Sequence, residues 1–257
     1  MRIYRALVRL SAIILTLFIG MIVILATSWM PLKIRGIRIS AWPATIMARL
    51  ALTILNVKVE YQHTEKLLTH SGFIFPNHLS FLDIIMMLHI IPVRFLSKAE
   101  LRSWPLVGWI ARGIGTVFVD RSDRDSREAA RQALAEEDTF PPIVLFPEGG
   151  IFSPAEELKP FRYGAFEIAH AGTSPFYPCA LQYEPLDIVF WADESIWTAV
   201  WRFAKYKGPI YARINVLRMV SPQPDDDPKE LALETHGAID SALRYGGHES
   251  DLIQPGL

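Results

Sequence analysis

From Leu10 to Leu32 the chain runs for 23 residues without a formal charge. Coiled as a helix, that run reaches about 34 Å, longer than the roughly 30 Å hydrocarbon core of a bilayer, so it predicts a membrane helix. Arg2, Arg5 and Arg9 precede it, and Lys33, Arg35 and Arg38 follow it. Equal basic flanks choose no orientation. They also weigh against the rival reading, a cleaved signal peptide with the three arginines as its basic region and Ala26-Thr27-Ser28 as its cleavage site. A second apolar stretch, Ile39 to Val57, is broken by Pro43 and Arg49, which makes it a poor independent span and a good interfacial or re-entrant helix. The two segments are expected to form a helical hairpin with both basic ends at the cytoplasmic face.

Charge is divided in the same place. Up to residue 59 the chain has eight basic and no acidic residues, whereas the remainder has 18 basic and 27 acidic ones; the net charge of -1 conceals this. An anionic membrane surface would attract only the first part. At 257 residues, 51% hydrophobic and with mean hydropathy +0.21, the sequence fits an anchor over 1–57 and one domain of ordinary size over 58–257. Cys179 is the sole cysteine, so no internal disulfide can form, and its place in a predicted strand marks it as a packed apolar side chain.

Beyond Val57, strand and helix patterns alternate, which predicts an α/β domain with a central mixed, mostly parallel sheet flanked by helices. Val57 to Tyr61 alternates like an edge strand. Phe73 to Phe75, Arg94 to Leu96, Thr116 to Val119 and Ile143 to Phe146 read as inner strands, with later strands at Tyr177 to Tyr183, Ile188 to Trp191 and Ile210 to Val220. Helices are expected over Ile84 to Leu88, Arg124 to Glu137 and Pro228 to Tyr245. No repeat, low-complexity linker or second domain boundary is visible.

The segment Asn77-His78-Leu79-Ser80-Phe81-Leu82-Asp83 places an imidazole and a carboxylate five positions apart where a strand closed by Pro76 gives way to a helix. At that spacing Asp83 can accept a hydrogen bond from one ring nitrogen of His78 and leave the other free. The pair is then a general base with an orienting carboxylate. No nucleophilic serine is required if a substrate hydroxyl supplies the attacking oxygen.

The Asn-His-x-Ser-x-x-Asp pattern resembles the first conserved block of the glycerolipid (lysophospholipid) acyltransferase superfamily. Three more segments are similar to later blocks, in order: Gly115-Thr116-Val117-Phe118-Val119-Asp120-Arg121, Phe146-Pro147-Glu148-Gly149 and Pro175-Phe176-Tyr177-Pro178. The resemblance covers roughly residues 73 to 180. It implies transfer of a fatty acyl group from acyl-CoA or acyl-carrier protein to the hydroxyl of a lysolipid, most often 1-acyl-sn-glycerol-3-phosphate, without cofactor or metal. It also implies a membrane enzyme, here expected on the cytoplasmic side of a bacterial inner membrane. His78 and Asp83 become the catalytic candidates. Asn77, Ser80, Arg121, Glu148, Gly149 and Arg162 become the substrate-binding candidates.

Arg121 follows an apolar strand, so its guanidinium can grip phosphate in a bidentate way; the alternative is a surface pair with Asp120 or Asp123, worth little. The third block departs from the family pattern. Gly150-Ile151-Phe152-Ser153 follows Glu148-Gly149 where the family often has an arginine, and Lys159 or, preferably, Arg162 is expected to supply the missing charge. His63, His70, His89, His170, His236 and His248 have no partners spaced for metal ligation, and no glycine-rich phosphate loop, zinc spacing or nucleic-acid patch is present. Trp191, Trp197 and Trp201 lie in a segment of low charge suited either to the membrane interface or to core packing. A hydrolase using water, an acyltransferase acting on a lyso-ornithine lipid or other lysophospholipid, and a membrane-tethered lipid-binding protein are the alternatives.

Overall fold

The computed structural model describes residues 2–120, 123, 134, 140–151, 157–191 and 194–245. Its first helix, α1 (Arg2–Ser28), takes the three arginines into its first turns and stops short of Leu32. The hydroxyls of Thr27 and Ser28 donate back to the carbonyls of Val23 and Leu25, and Pro31 follows, which disfavours helix in the residue before it. A short antiparallel ribbon, Lys33–Ile34 against Ile37–Arg38, turns through Arg35 and Gly36, both at positive φ. It leads to α2 (Trp42–Ile54), where Pro43 occupies the first turn. There its missing N–H costs nothing, so Pro43 begins this helix and does not break it.

Among the described residues seven strands build one sheet: β1 (Val57–Gln62), β2 (Phe73–Pro76), β3 (Arg94–Lys98), β4 (Val117–Val119), β5 (Ile143–Val144), β6 (Phe176–Glu184) and β7 (Ile210–Val216). Their spatial order is β1-β7-β6-β2-β5-β3-β4. Neighbours run parallel except β6 and β7, which are antiparallel. The mixed, mostly parallel sheet is therefore as expected, and β2 lies at its centre. Side chains alternate across it: Ile74 faces one core, Phe73 and Phe75 the other, the period of two that a strand imposes.

The remaining helices are α3 (Leu82–Leu88), α4 (Val107–Gly113), α5 (Gly164–Ala171), α6 (Leu186–Val189), α7 (Ile196–Lys205) and α8 (Pro228–Tyr245). Leu52 of α2, Met86 and Met87 of α3 and Phe203 of α7 cover the Ile74 face. Phe166 of α5 with Leu231 and Ile239 of α8 covers the other. α1 packs on α2, α4 and α7, with Ala6, Gly20 and Ile24 buried. Gly20 permits this closeness, since a Cβ there would overlap the Met47 thioether.

Three expected strands are corrected. Thr116 to Val119 is not an inner strand: β4 is the sheet edge, because periodicity reports how buried a segment is and not its rank in the sheet. Ile188 to Trp191 is not a strand at all. Pro185 starts the single helical turn α6, closed by the Phe190 N–H on the Leu186 carbonyl, and an apolar run of four residues fits either period. The pairing expected from Ile210 to Val220 ends at Val216 and resumes as an isolated bridge between Val220 and Phe176. The helix expected over Arg124 to Glu137 lies, but for Leu134, outside the described residues.

Phe75 holds β2 in place through rings of Phe176, Phe166 and Phe73 at centroid distances of 4.6, 5.0 and 6.0 Å. Phe75→Ala should cost on the order of 3 to 5 kcal/mol, read as a lowered thermal midpoint in detergent. An unchanged midpoint would show that the aromatic cluster does not hold the sheet.

Candidate active site

β2 delivers the chain to the carboxyl edge of the sheet, and residues 77 to 83 turn from there into α3. Asn77 is buried and uses both ends of its side-chain amide on one residue of β6: it donates to the Leu181 carbonyl at 3.0 Å and accepts from the Leu181 N–H at 2.7 Å. Ser80 is also buried, its Oγ accepting from the Leu82 N–H at 3.3 Å. Both residues therefore brace the turn, with their polar groups directed to backbone.

Within this turn the Asp83 carboxylate is fully buried and meets four donors. Oδ2 accepts from the Leu79 and Ser80 amides at 2.7 and 2.9 Å and from His78 Nδ1 at 2.8 Å. Oδ1 accepts from the Tyr183 hydroxyl at 2.6 Å. Because a carboxylate only accepts, Nδ1 carries the proton and Nε2 presents its lone pair. Among the described residues Nε2 has no hydrogen-bond partner, and the ring stays 16% exposed. The Phe146 ring stacks on the imidazole with centroids 3.9 Å apart and planes 17° from parallel, which fixes the remaining rotation.

Glu148 joins the third block to the first. Its Oε1 accepts the His78 main-chain N–H at 2.6 Å. Burial pushes its carboxyl up to about 7; the amides of His78 and Lys159 counter the rise, and the nearby Asp83 charge adds to it. Gly149 sits at φ +77° with the Arg162 guanidinium lying across it, so close that a Cβ would come within 2.5 Å of Nε. The Arg162 N–H donates to the Pro147 carbonyl at 2.8 Å, which holds the two segments together. The Lys159 ammonium instead pairs with Glu157 at 3.2 Å. A cavity of about 250 Å³ opens beside Glu148, Leu79 and Tyr183. Arg121 lies outside the described residues. The structure thus brings His78, Asp83, Glu148, Gly149 and Arg162 together.

The acyltransferase family profile matches residues 58–182, a span that holds all four sequence blocks. Residues 58–182 thus form an acyltransferase-family domain. The chain is 31% identical over 65% of its length to a lyso-ornithine lipid O-acyltransferase of Pseudomonas aeruginosa, covering 66% of that protein. It is 28% identical over 61% of its length to a 1-acyl-sn-glycerol-3-phosphate acyltransferase of Neisseria gonorrhoeae, covering 64% of that protein. The chain thus spans somewhat under two thirds of the length of these curated relatives. The crystal structure of the 1-acyl-sn-glycerophosphate (LPA) acyltransferase PlsC from Thermotoga maritima superposes with a TM-score of 0.73 over 94% of this chain and 96% of that one at 21% identity, which shows the acyltransferase fold.

Sequence reasoning missed Phe146 as the stacking partner of His78 and Tyr183 as a partner of Asp83. Phe146 was in view as part of the third block, and its aromatic ring was the signal. Tyr183 stands one residue beyond the profile match, 100 positions from Asp83, and local spacing gives no sign of it.

The Glu148 carboxyl predicts a pH dependence. Its folded-state value of about 7 exceeds the ordinary 4.5, so folding disfavours its ionised form, and the cost sets in as pH rises from 4.5 to 7. Glu148→Gln keeps an acceptor for the His78 amide and carries no charge. The variant should gain stability relative to wild type across that window, by on the order of 3 kcal/mol above pH 7. A difference in thermal midpoint that does not vary between pH 4.5 and 8 would rule this out.

Proposed function

We propose that this protein transfers a fatty acyl group from the thioester of acyl-CoA or acyl-carrier protein to the free hydroxyl of a lysolipid. The observation that supports it most directly is the open Nε2 of a histidine whose opposite nitrogen is held by a saturated, buried carboxylate. In this reading His78 Nε2 takes the proton of the acceptor hydroxyl as its oxygen attacks the thioester carbonyl. Asp83 stabilises the imidazolium that forms. The tetrahedral intermediate collapses with cleavage of the carbon–sulfur bond, and the imidazolium returns the proton to the leaving thiolate. The bonds balance without a cofactor or a protein nucleophile.

The acceptor we favour is 1-acyl-sn-glycerol-3-phosphate, giving phosphatidic acid for phospholipid synthesis. Arg162 supports it: held across Gly149, it puts a guanidinium where the third block lacks its usual arginine, with Glu148 beside it to meet a hydroxyl. Arg121 is proposed as a second phosphate ligand. A lyso-ornithine acceptor is the second reading, favoured by the altered third block and by relatives from Pseudomonas aeruginosa and Rhodobacter capsulatus that bear that name.

The membrane is the proposed site of action. α1 is long and apolar enough to cross one, yet its buried contacts at Ala6 and Ile24 lie about 27 Å apart along the helix. A crossing α1 would draw α2, α4 and α7 into hydrocarbon with Arg49, Arg112 and Arg202. We therefore place α1 along the bilayer surface, its exposed Leu7, Ile14, Leu15, Phe18 and Ile22 face down, with Trp109 and Trp197 at its sides.

Purified enzyme given one labelled acyl-CoA and a panel of lysolipids should acylate 1-acyl-sn-glycerol-3-phosphate; a product found only with lyso-ornithine lipid selects the second reading, and free fatty acid alone selects hydrolysis. His78→Ala should lower kcat by roughly 10² to 10⁴. Arg162→Ala should raise acceptor KM on the order of tenfold while donor KM holds. A folded His78→Ala enzyme with normal turnover would end this mechanism.

A further inference from the structure

The turn that holds His78 is tied to the sheet at both ends by one strand. At its start Asn77 is locked to the backbone of Leu181, and at its end Asp83 accepts from the hydroxyl of Tyr183, two residues further along β6. The other three donors to Asp83 come from residues 78 to 80. They belong to the turn itself and would move with it. Among the described residues Tyr183 is the one hydrogen-bond donor to this carboxylate that is anchored elsewhere in the fold. It is 8% exposed and packs in the core that also holds Leu82, Met86 and Leu181.

We infer that Tyr183 is a positioning residue for acyl transfer: its hydroxyl fixes the plane of the Asp83 carboxylate against β6, so that Oδ2 stays aimed at His78 Nδ1 and Nε2 stays aimed at the acceptor. The inference rests on His78 being the base, as proposed above. Two consequences separate this role from one of simple packing. The first is orientation. Without the hydroxyl, Oδ1 is left buried and unpaired, the carboxylate can pivot about Oδ2, which the Leu79 and Ser80 amides still hold, and the imidazole loses its aim. The second is electronic. An O–H donor on Oδ1 draws charge from the carboxylate and so limits how strongly Oδ2 stabilises the imidazolium. The hydroxyl can hold this place because burial, followed by the charge and the hydrogen bond of Asp83, keeps Tyr183 protonated far above the ordinary tyrosine range. The other ionisable groups facing the pair are Glu148, through the His78 amide, and behind it Lys159.

Tyr183→Phe removes one oxygen and leaves the ring in place. Its kcat should fall roughly ten- to a hundredfold, the scale of a small misalignment of a reacting group, with acceptor KM within about twofold of wild type. The two main-chain amides still hold Oδ2, so the freed charge should shift the His78 titration, followed by the NMR signal of its C2–H, to higher pH. Site-specific 3-fluorotyrosine at 183 keeps the fold contacts and makes a stronger donor; it should move the same titration to lower pH, and it decides the question if the phenylalanine variant does not fold. In an Asp83→Asn background Tyr183→Phe should cause little further loss, because its effect passes through the carboxylate. A folded Tyr183→Phe enzyme with wild-type kcat and an unmoved His78 titration overturns the inference, as does fluorotyrosine that leaves the titration where it was. If the wild-type enzyme acylates no lysolipid in the panel, the functional reading fails, and the two NMR titrations still judge Tyr183 on its own.

Discussion

Burying a carboxylate is expensive unless its oxygens find donors, and the Asp83 carboxylate, at the carboxyl edge of the sheet, finds four. Two are amides of the turn that precedes α3, so the carboxylate dictates the path of residues 78 to 80. A third is the imidazole, whose tautomer is thereby set. The fourth reaches over from β6. Each of these geometries would relax if the carboxylate were lost: the turn would lose its centre, the imidazole its orientation, and β6 one of its two side-chain ties to the turn. Local conformation, tertiary packing and the tautomer of His78 here depend on one side chain.

Glu148 shows what a different environment does to the same functional group. It is nearly as buried as Asp83, but the donors reaching it are the amides of His78 and Lys159, and burial outweighs them, so its carboxyl is held near 7. Asp83 contributes to this, since a second full charge beside an existing one is disfavoured. Two carboxylates linked through one histidine thus meet different surroundings: four donors saturate one, and burial leaves the other able to donate as well as accept near neutral pH.

What could be read in the sequence was what local spacing determines. The five-residue interval from His78 to Asp83 lies within a single strand-to-helix turn, so the pair could be named before any coordinates. The start of helix α8 was legible to the residue because the acidic turn and Pro228 mark it. The alternation at Val57 correctly placed an edge strand. Non-local facts were hidden. Nothing near Tyr183 says that β6 will lie beside β2, and nothing near Val117 says that β4 will close the opposite edge of the sheet. Asn77 and Ser80 were substrate-binding candidates through the block that carries the resemblance; in the fold the Asn77 amide is engaged by the backbone of the partner strand and the Ser80 Oγ by the Leu82 amide of its own turn. Ile188 to Trp191 failed for another reason, since four apolar residues after a proline satisfy a helical turn as well as a strand.

The segment before Val57, which the charge pattern separates so cleanly, is not separate in its packing. Ile37, Ala41, Ala44 and Leu52 share one core with Leu82 and Met86 of α3, with Leu181 and with Tyr183. The guanidinium of Arg49 adds a polar tie by donating to the His89 carbonyl at 3.0 Å, just beyond the end of α3. On one side, then, α2 supports the helix whose first turn carries Asp83; on the other it carries α1 through the contact of Met47 with Gly20. If the apolar face of α1 rests on a bilayer, the path from that surface to the carboxylate runs through two helix contacts and no flexible linker. An acceptor lipid held in the same bilayer would meet a histidine whose height above the membrane is set by core packing, so the composition break at residue 57 marks a change of solvent for the outer face and leaves the fold continuous.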